Sequence, residues 1–401
     1  MKFAHIADVH IGGWRDPKMS ELGVIALRRT FDDCIKREVD FVLIAGDLFN
    51  TSLPSIDKLK QTVAELKRLK DAGINVYMIA GSHDFSPSGK TMLDVLEEAG
   101  LIINVVRGQV IDDKLKLNFT LDGKTGVKIT GMLGKKGMLE KIYYENLHRE
   151  NLEKEGGYKI FMFHSALAEF KPQELANMDA HPLSLLPKNF NYYAGGHVHY
   201  IFEKDEKDYG KIVYPGALFP NNFSELEKFG GGGYYLVDDD SAVYIPIIVK
   251  SHIGISVKSK HNTPLELEHK IIDEIEKVDY LGKLVTIRVS GVLENGKVSD
   301  IDFNRIFSKL EGAYFVMKNT NALKTKDFEE IKISAADSKE VEQKLVKEHV
   351  SQVKVKDMDP ESEEKLTHQL MSVLNTEKQE GEKVVTFHQR ILDDAMKLLN
   401  L

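Results

Sequence analysis

Cysteine is nearly absent. Cys34 is the one thiol in 401 residues, which excludes a disulfide framework and a cysteine-ligated metal site within one chain and fits a reducing compartment. Cys34 falls in a predicted helix, where it reads as a small buried hydrophobe. Long apolar runs are also missing: no stretch approaches the roughly 18 apolar residues of a membrane helix. The chain enters a hydrophobic strand within its first residues, without a basic segment and apolar run ahead of it, so neither secretion nor a membrane span is expected. Positive charge is short as well. Lys and Arg number 54 against 62 Asp and Glu, a formal net charge of −8, which argues against a generic nucleic-acid binder, whose domain is normally basic. Internal repeats and low-complexity tracts are not found.

What is present is a globular composition, 42% hydrophobic, in a chain long enough for two to three domains. Basic residues do cluster locally, at Arg28 and Arg29, at Lys67, Arg68 and Lys70, and at Lys135 and Lys136; the simplest account of each cluster alone is a solvated helix face.

Five short hydrophobic runs each end in residues that ligate metals. Phe3 to Ala7 leads into Asp8 and His10. Phe41 to Ala45 passes through Gly46 into Asp47, and Val76 to Ala80 passes through Gly81 to Ser82, His83 and Asp84. Lys159 to Phe163 delivers His164, and Tyr192 to Ala194 leads through two glycines to His197 and His199. Apolar runs bounded by glycine or acid are expected of strands buried on both faces of a parallel sheet. Ligands bind in the crevice at the carboxyl ends of such strands, so these residues are expected to converge.

The chemistry of the set is specific. Two divalent cations about 3.5–4 Å apart stabilise both the attacking and the leaving oxygen of a phosphoryl displacement and lower the pKa of a bound water. Such a pair needs a bridging carboxylate, and Asp47 is the best placed. Imidazole mixed with carboxylate suits manganese, iron or zinc better than calcium. In Asp8-Val9-His10 and His197-Val198-His199, period two on an extended backbone is expected to turn both outer side chains the same way. A lone histidine is more often a hydrogen-bonded core residue than a ligand. The order Asp-x-His, Gly-Asp, Gly-x-His-Asp, His, Gly-His-x-His is what makes this signal specific.

Those motifs resemble the calcineurin-like metallophosphoesterases. The strings HIADVHIGG, LIAGDLFN, LPKNFNYYAGGHVH and IVYPGALF look like the meiotic-recombination nucleases and their bacterial SbcD-type relatives, the nuclease subunits of double-strand-break repair complexes. The resemblance covers Met1 to about Val249 and more loosely reaches about Lys326. It implies an α/β fold, a metallophosphoesterase sandwich of two mixed sheets flanked by helices. It further implies that Asp8, His10, Asp47 and His199 hold one metal, most naturally manganese, and that Asp47, His164, His197 and Ser82 hold the other. His83, backed by Asp84, would contact the phosphate and protonate the leaving oxygen. Two positions depart from the pattern. Ser82 replaces an asparagine, a shorter donor than an amide carbonyl, and three protein ligands with open positions can still make a catalytic site. Asn50 stands where the repair nucleases commonly carry a histidine, and an asparagine cannot shuttle a proton near neutral pH.

Three regions are expected: a metallophosphoesterase domain over residues 1–249, a small α/β capping domain over 251–326 and a charged helical tail over 327–401. In the first, Ser55 to Ala72 reads as an amphipathic helix with Ile56, Leu59, Val63, Leu66 and Leu69 on one face. Gly230 to Gly233 reads as a turn into a closing strand, since no helix comes after it. The cap reads as strand, helix, strand, helix, strand, with Leu267, Ile271, Ile275 and Val278 on one helical face, Val285, Ile287 and Val289 alternating, and Phe303, Ile306, Phe307 and Leu310 on a second helix. Asp359-Pro360-Glu361 is a helix start. From Val384 to Leu399, Phe387, Ile391, Ala395 and Leu398 form one stripe, widened by Leu392 and Leu399, that needs a hydrophobic partner.

The expected function is a two-metal DNA endo/exonuclease at double-strand-break ends, cytoplasmic and nucleoid-associated in a prokaryotic cell. The resemblance implies an ABC-type coiled-coil ATPase partner, bound through the C-terminal helices. It also implies a homodimer through the helix Lys90 to Gly100 and its neighbour, with Met92, Leu93, Val95, Leu96 and Ala99 making a wide apolar surface; burial of that surface within one chain is the alternative. One alternative is a phosphodiesterase or phosphatase acting on small molecules or proteins with the same metals. The other is a DNA-end-binding scaffold whose nuclease has decayed through Ser82 and Asn50; the retained ligands and His83 argue against it.

Overall fold

The computed structural model describes residues 1–86, 91–239, 241–325, 358–378 and 384–399, with Val346, Val350 and Glu382. The chain divides into two compact units, Met1–His252 and Ile253–Leu401.

The first unit opens with β1 (Lys2–Ile6), α1 (Pro17–Lys36), β2 (Phe41–Ala45), α2 (Ile56–Asp71), β3 (Asn75–Ile79), α3 (Met92–Glu98) and β4 (Ile103–Asn104). A hairpin of β5 (Gly108–Ile111) and β6 (Lys114–Leu117) precedes β7 (Thr120–Leu121) and β8 (Lys128–Gly131). The short helices α4 (Lys141–Glu145) and α5 (Glu150–Glu153) lead to β9 (Lys159–His164), β10 (Tyr192–Gly196), β11 (Phe202–Glu206) and β12 (Gly210–Tyr214). After α6 (Phe223–Phe229), β13 (Gly232–Asp238) and β14 (Ser241–Ile247) return to the first sheet. Two six-stranded sheets result, ordered β14-β13-β1-β2-β3-β4 and β11-β12-β10-β9-β8-β7. Both are mixed: β1 runs parallel to β2 and antiparallel to β13, while β12 runs parallel to β10 and antiparallel to β11.

The sheets bury one face of each against the other. Phe41, Leu43 and Ala45 of β2 and Tyr77 and Ile79 of β3 pack with Ile160 and Met162 of β9 and Tyr192 and Ala194 of β10 in one core. His5 Nδ1 meets Tyr192 Oη at 3.0 Å across it. In β9 the period of two runs to the strand's last residue, so His164 shares the phase of Ile160 and Met162, whereas past the end of β2 the left-handed Gly46 and Asp47, with φ of +88° and +53°, break it.

The helices obey local rules. α1 is capped by Asp16, whose side chain accepts from the Lys18 and Met19 N–H groups, with Pro17 at the first helical position. α2 starts at the Ser55 cap, but its buried stripe is Thr62, Glu65, Leu66 and Leu69, and Ile56 is 83% exposed. Glu65 lies on the buried face, paired with Arg28 and Arg68 at 2.7 and 2.6 Å. In α3, Leu93 and Leu96 turn into the core while Val95 stays 54% exposed, so the apolar surface left outside is narrower than its sequence suggests; Lys90 lies outside the described residues. Gly230 ends α6 with φ +66°, a left-handed cap that glycine supplies without strain. That helix is invisible to hydrophobic periodicity because it is only two turns long.

The second unit holds β15 (His252–Asn262), α7 (Pro264–Ile275), β16 (Leu284–Leu293), α8 (Phe303–Ser308) and β17 (Phe315–Thr325), with sheet order β15-β16-β17. Leu267, Ile271, Ile275, Val285, Ile287, Val289, Phe303 and Ile306 form its core, as the sequence pattern predicts. Among the described residues two further helices follow, α9 (Pro360–Leu374), capped by Asp359, and α10 (Val384–Leu399). Phe387, Ile391, Ala395 and Leu398 are partly buried, whereas Leu392, Met396 and Leu399 stay exposed. Residues 327–345, 347–349 and 351–357 of the expected tail lie outside the described residues. No described helix is long and apolar enough to cross a membrane.

Candidate metal centre

The ends of β1, β2, β3, β9 and β10 bring the five motifs to one place. Asp8, His10 and His199 offer ligand atoms within 4.8 Å of one another; so do His10, Asp47 and His83, and so do Asp8, Asp47 and His164. Asp47 belongs to the second and third of these groups. Its Oδ2 is 3.2 Å from His164 Nε2 and 3.7 Å from His10 Nε2, while Oδ1 accepts the His83 N–H at 2.7 Å. The His10 and His199 Nε2 atoms face each other at 3.0 Å. His197 falls outside the three close groups, although its ring packs edge-on against His164 with centroids 5.2 Å apart, and Ser82 and His197 line the same cavity, of about 410 Å³.

The backbone is bent to achieve this. Asp8, His10, Asp47 and His197 have φ of +50°, +47°, +53° and +88°. Non-glycine residues in this region cost about 1–3 kcal/mol each and cluster at functional sites. The two side chains of Asp8-Val9-His10 therefore converge through left-handed turns and not through an extended period of two, which corrects the sequence expectation. Gly81 is required by proximity, since a Cβ there would lie 2.2 Å from Asp47 Oδ1.

Hydrogen bonds fix the tautomers. His164 Nδ1 donates to the Ala45 carbonyl at 2.8 Å and His83 Nδ1 to the Asn50 carbonyl at 2.8 Å, because a carbonyl can only accept. Both rings are left with Nε2 toward the cleft. Asp84 does not back His83. Its buried carboxylate accepts the Leu48, Phe49 and Gly81 N–H groups at 3.2, 3.0 and 3.1 Å, so it ties the β2 and β3 loops together. Adjacent residues on this turn point apart, and the neighbour that His83 finds is the main chain of Asn50. The Asn50 side chain faces Asn221, at 3.4 Å, and not a substrate position.

Sequence reasoning misses Glu225. Its Oε1 meets His199 Nδ1 at 2.9 Å and its Oε2 accepts the Asn221 N–H at 2.8 Å, the carboxylate–histidine pairing that orients a metal ligand. The one available signal is Asn222-x-x-Glu225, the helix-capping spacing at the start of α6.

Charge is matched to a cation. Burial pushes Asp47 up, but His164, His10 and the His83 N–H together hold it well below the usual carboxylate range. Burial lowers His10 to about 3 and His197 to about 4, keeping their lone pairs free. Burial also pulls on His199, yet Glu225 and Asp8 outweigh it and raise the imidazole. His10 Nδ1 is buried with no hydrogen-bond partner, and His164 Nε2 meets Asp47 Oδ2 alone, at 3.2 Å. Anionic oxygens, available imidazole nitrogens and an unpartnered ring atom in one buried cluster fit divalent metal ions.

Residues 1–200 match the calcineurin-like phosphoesterase family. The DNA double-strand break repair protein Mre11 of Archaeoglobus fulgidus is 28% identical over 331 residues, 76% of this chain and 72% of that protein. The protein of the same name from Sulfolobus acidocaldarius is 32% identical over 288 residues, 69% of each. The chain spans 54–72% of the length of five such archaeal relatives. A dimetal phosphatase from Danio rerio is similar in structure at 12% identity, with a TM-score of 0.39 over 63% of this chain and 97% of that one.

Proposed function

This chain belongs to the calcineurin-like phosphoesterase family, among the Mre11 double-strand break repair proteins, and from that membership we propose that it is a two-metal DNA endo/exonuclease acting at break ends. The observation that carries this reading is Asp47, one carboxylate within 3.7 Å of imidazole nitrogens from two different sheets. Asp8, His10, Asp47 and His199 would hold one ion, and Asp47, His164, His197 and Ser82 the other, with manganese the natural occupant. Bound divalent cations supply Lewis acidity toward the phosphoryl oxygens and lower the pKa of the attacking water.

The chain's own groups do the rest. His83 presents Nε2 to the cleft, with Nδ1–H anchored on Asn50, so a proton on Nε2 can pass to the leaving oxygen. Glu225 holds the His199 ring in one orientation. Ser82, only 7% exposed, offers a short hydroxyl where an amide would reach further. Pro172, Leu175 and Met178 form an apolar side of the cavity, which limits the water around the reacting phosphate.

The C-terminal helices bind an ABC-type coiled-coil ATPase in this reading: α10 keeps Leu392, Met396 and Leu399 exposed on successive turns, the pattern of a helix that enters a groove. Truncation after Asp359 is expected to abolish co-purification with such an ATPase while short single strands are still cut. A second copy pairs through α3, and Met92→Glu is expected to reduce a dimeric mass in solution to that of one chain.

The deciding assay sets purified protein with manganese or magnesium against single-stranded, blunt and hairpin DNA beside a small phosphodiester. Metal-dependent cleavage of DNA is the expected result. Hydrolysis of the small diester alone would favour a small-molecule phosphodiesterase.

A further inference from the structure

The basic residues that cluster in the sequence are, with one exception, engaged within the fold. Arg28 and Arg68 pair with the buried Glu65, and Arg68 also meets Asp32. Arg29 donates to the Ile248 carbonyl at 2.7 Å, Lys67 pairs with Asp71 at 2.7 Å and Lys70 donates to the Ala99 carbonyl at 3.4 Å. Lys135 donates to Tyr143 Oη at 2.7 Å and lies over the Phe85 and Tyr143 rings at 4.8 and 4.5 Å. Lys136 alone has no acidic, carbonyl or aromatic partner among the described residues, and it is exposed.

Its position is not that of a free surface lysine. Lys136 lines a cavity of about 280 Å³ whose other walls include Ser82, His164, His197 and the exposed Asp179. Three of these are in the set expected to hold the second ion. The turn that carries Lys136 is locked from beneath by Glu140, which is 2% exposed: Oε2 accepts the Lys135 N–H at 3.0 Å and Oε1 meets His181 Nε2 at 2.9 Å. His181 is equally buried, and its backbone is bonded to the Ala166 carbonyl and the Ala168 N–H, both at 2.9 Å, in the segment just past His164. Gly134 closes the link, since a Cβ there would lie 2.6 Å from His164 Cδ2. Gly137 and Met138 then take φ of +66° and +55°, which turns the chain sharply just past Lys136.

A polynucleotide strand brings a phosphate on either side of the one that reacts, and cations at the metal centre neutralise only the reacting one. We propose that Lys136 binds the phosphate adjoining the scissile one on a nucleic-acid strand, with the buried Glu140–His181 pair as the positioning device that holds it beside the metal centre. This rests on the phosphodiesterase reading above and adds to it a subsite for a polymer. A substrate without a second phosphate has nothing to offer Lys136.

The test uses the full chain with manganese, a single-stranded oligonucleotide and bis(p-nitrophenyl) phosphate. Lys136→Ala is expected to raise KM for the oligonucleotide about fivefold at nearly constant kcat, the effect of one exposed charge pair. The slope of log KM against log salt should fall by about 0.7, one released counterion on a single strand. Lys136→Arg should restore both, and the constants for the small diester should stay within twofold throughout. Glu140→Gln should weaken oligonucleotide KM in the same direction, because it loosens the turn. An unchanged oligonucleotide KM and salt slope in Lys136→Ala would overturn the proposal, as would an equal loss on both substrates. Wild-type protein that hydrolyses the diester but neither binds nor cuts the oligonucleotide would instead remove the nuclease reading, and this subsite with it.

Discussion

Glu225 Oε1 lies 2.9 Å from His199 Nδ1, and the opposite nitrogen of the same ring lies 3.0 Å from His10 Nε2. A carboxylate from α6, outside all five motifs, therefore sets the direction of a predicted metal ligand. Removing such a partner typically costs about 10–100-fold in metal affinity or activity. Glu225→Ala is expected to move the manganese activation curve to higher concentration by at least tenfold, with Glu225→Gln intermediate because its amide oxygen can still accept. Activity titrated against manganese is the check.

His83→Ala should remove about 10²–10⁴-fold of phosphodiester turnover while manganese binding stays close to normal. His83 lies near His10 and Asp47, so calorimetric metal titration must accompany the kinetics. Near-normal turnover at saturating manganese would show that the proton comes from elsewhere.

Ser82→Asn should raise activity at low manganese and leave the saturated rate little changed, because an amide carbonyl reaches further into the cleft than a hydroxyl. Superimposable activation curves would show that Ser82, directly or through water, already supplies that ligand.

Glu140 gives a stability prediction with a sign. Burial pushes its carboxyl up, but hydrogen bonds from His181 and from the backbone outweigh this and hold it below its ordinary value. A depressed carboxylate contributes stability that is present above its unfolded pKa, near 4.3, and lost as pH falls through the folded value. Glu140→Ala should destabilise by about 2 kcal/mol at pH 7, the size expected when buried hydrogen bonds to a carboxylate are lost. Urea unfolding at descending pH should show the gap between wild type and variant narrowing below about pH 4.

The sequence displays what the strands carry and hides how the loops aim it. Asp47 and His164 could be placed because the continuous apolar runs of β2 and β9, buried on both faces, lead into them. The left-handed turns at Asp8 and His10 could not, since nothing in Asp-x-His distinguishes a turn from an extended pair. Asp84 illustrates the same gap: its neighbour in sequence suggested a partner, whereas three backbone N–H groups from two loops take the carboxylate. Glu225 and the Glu140–His181 pair are tertiary meetings across 26 and 41 residues, which periodicity cannot reveal. The strands and helices of the second unit were legible because their apolar residues are strongly patterned. The exposure of Ile56 was not, because it is the first residue of α2, where helical periodicity does not say how far the packed face extends.

If Asp47 joins two metal ions, its loss must disturb both, and titration calorimetry that counts manganese bound per chain reads this without relying on turnover. Wild-type protein should bind two ions, Asp8→Ala should keep one, and Asp47→Ala should lose both over the same concentration range. A wild type that binds one ion, or an Asp47→Ala variant that still binds one as tightly as before, would rule out the bridge.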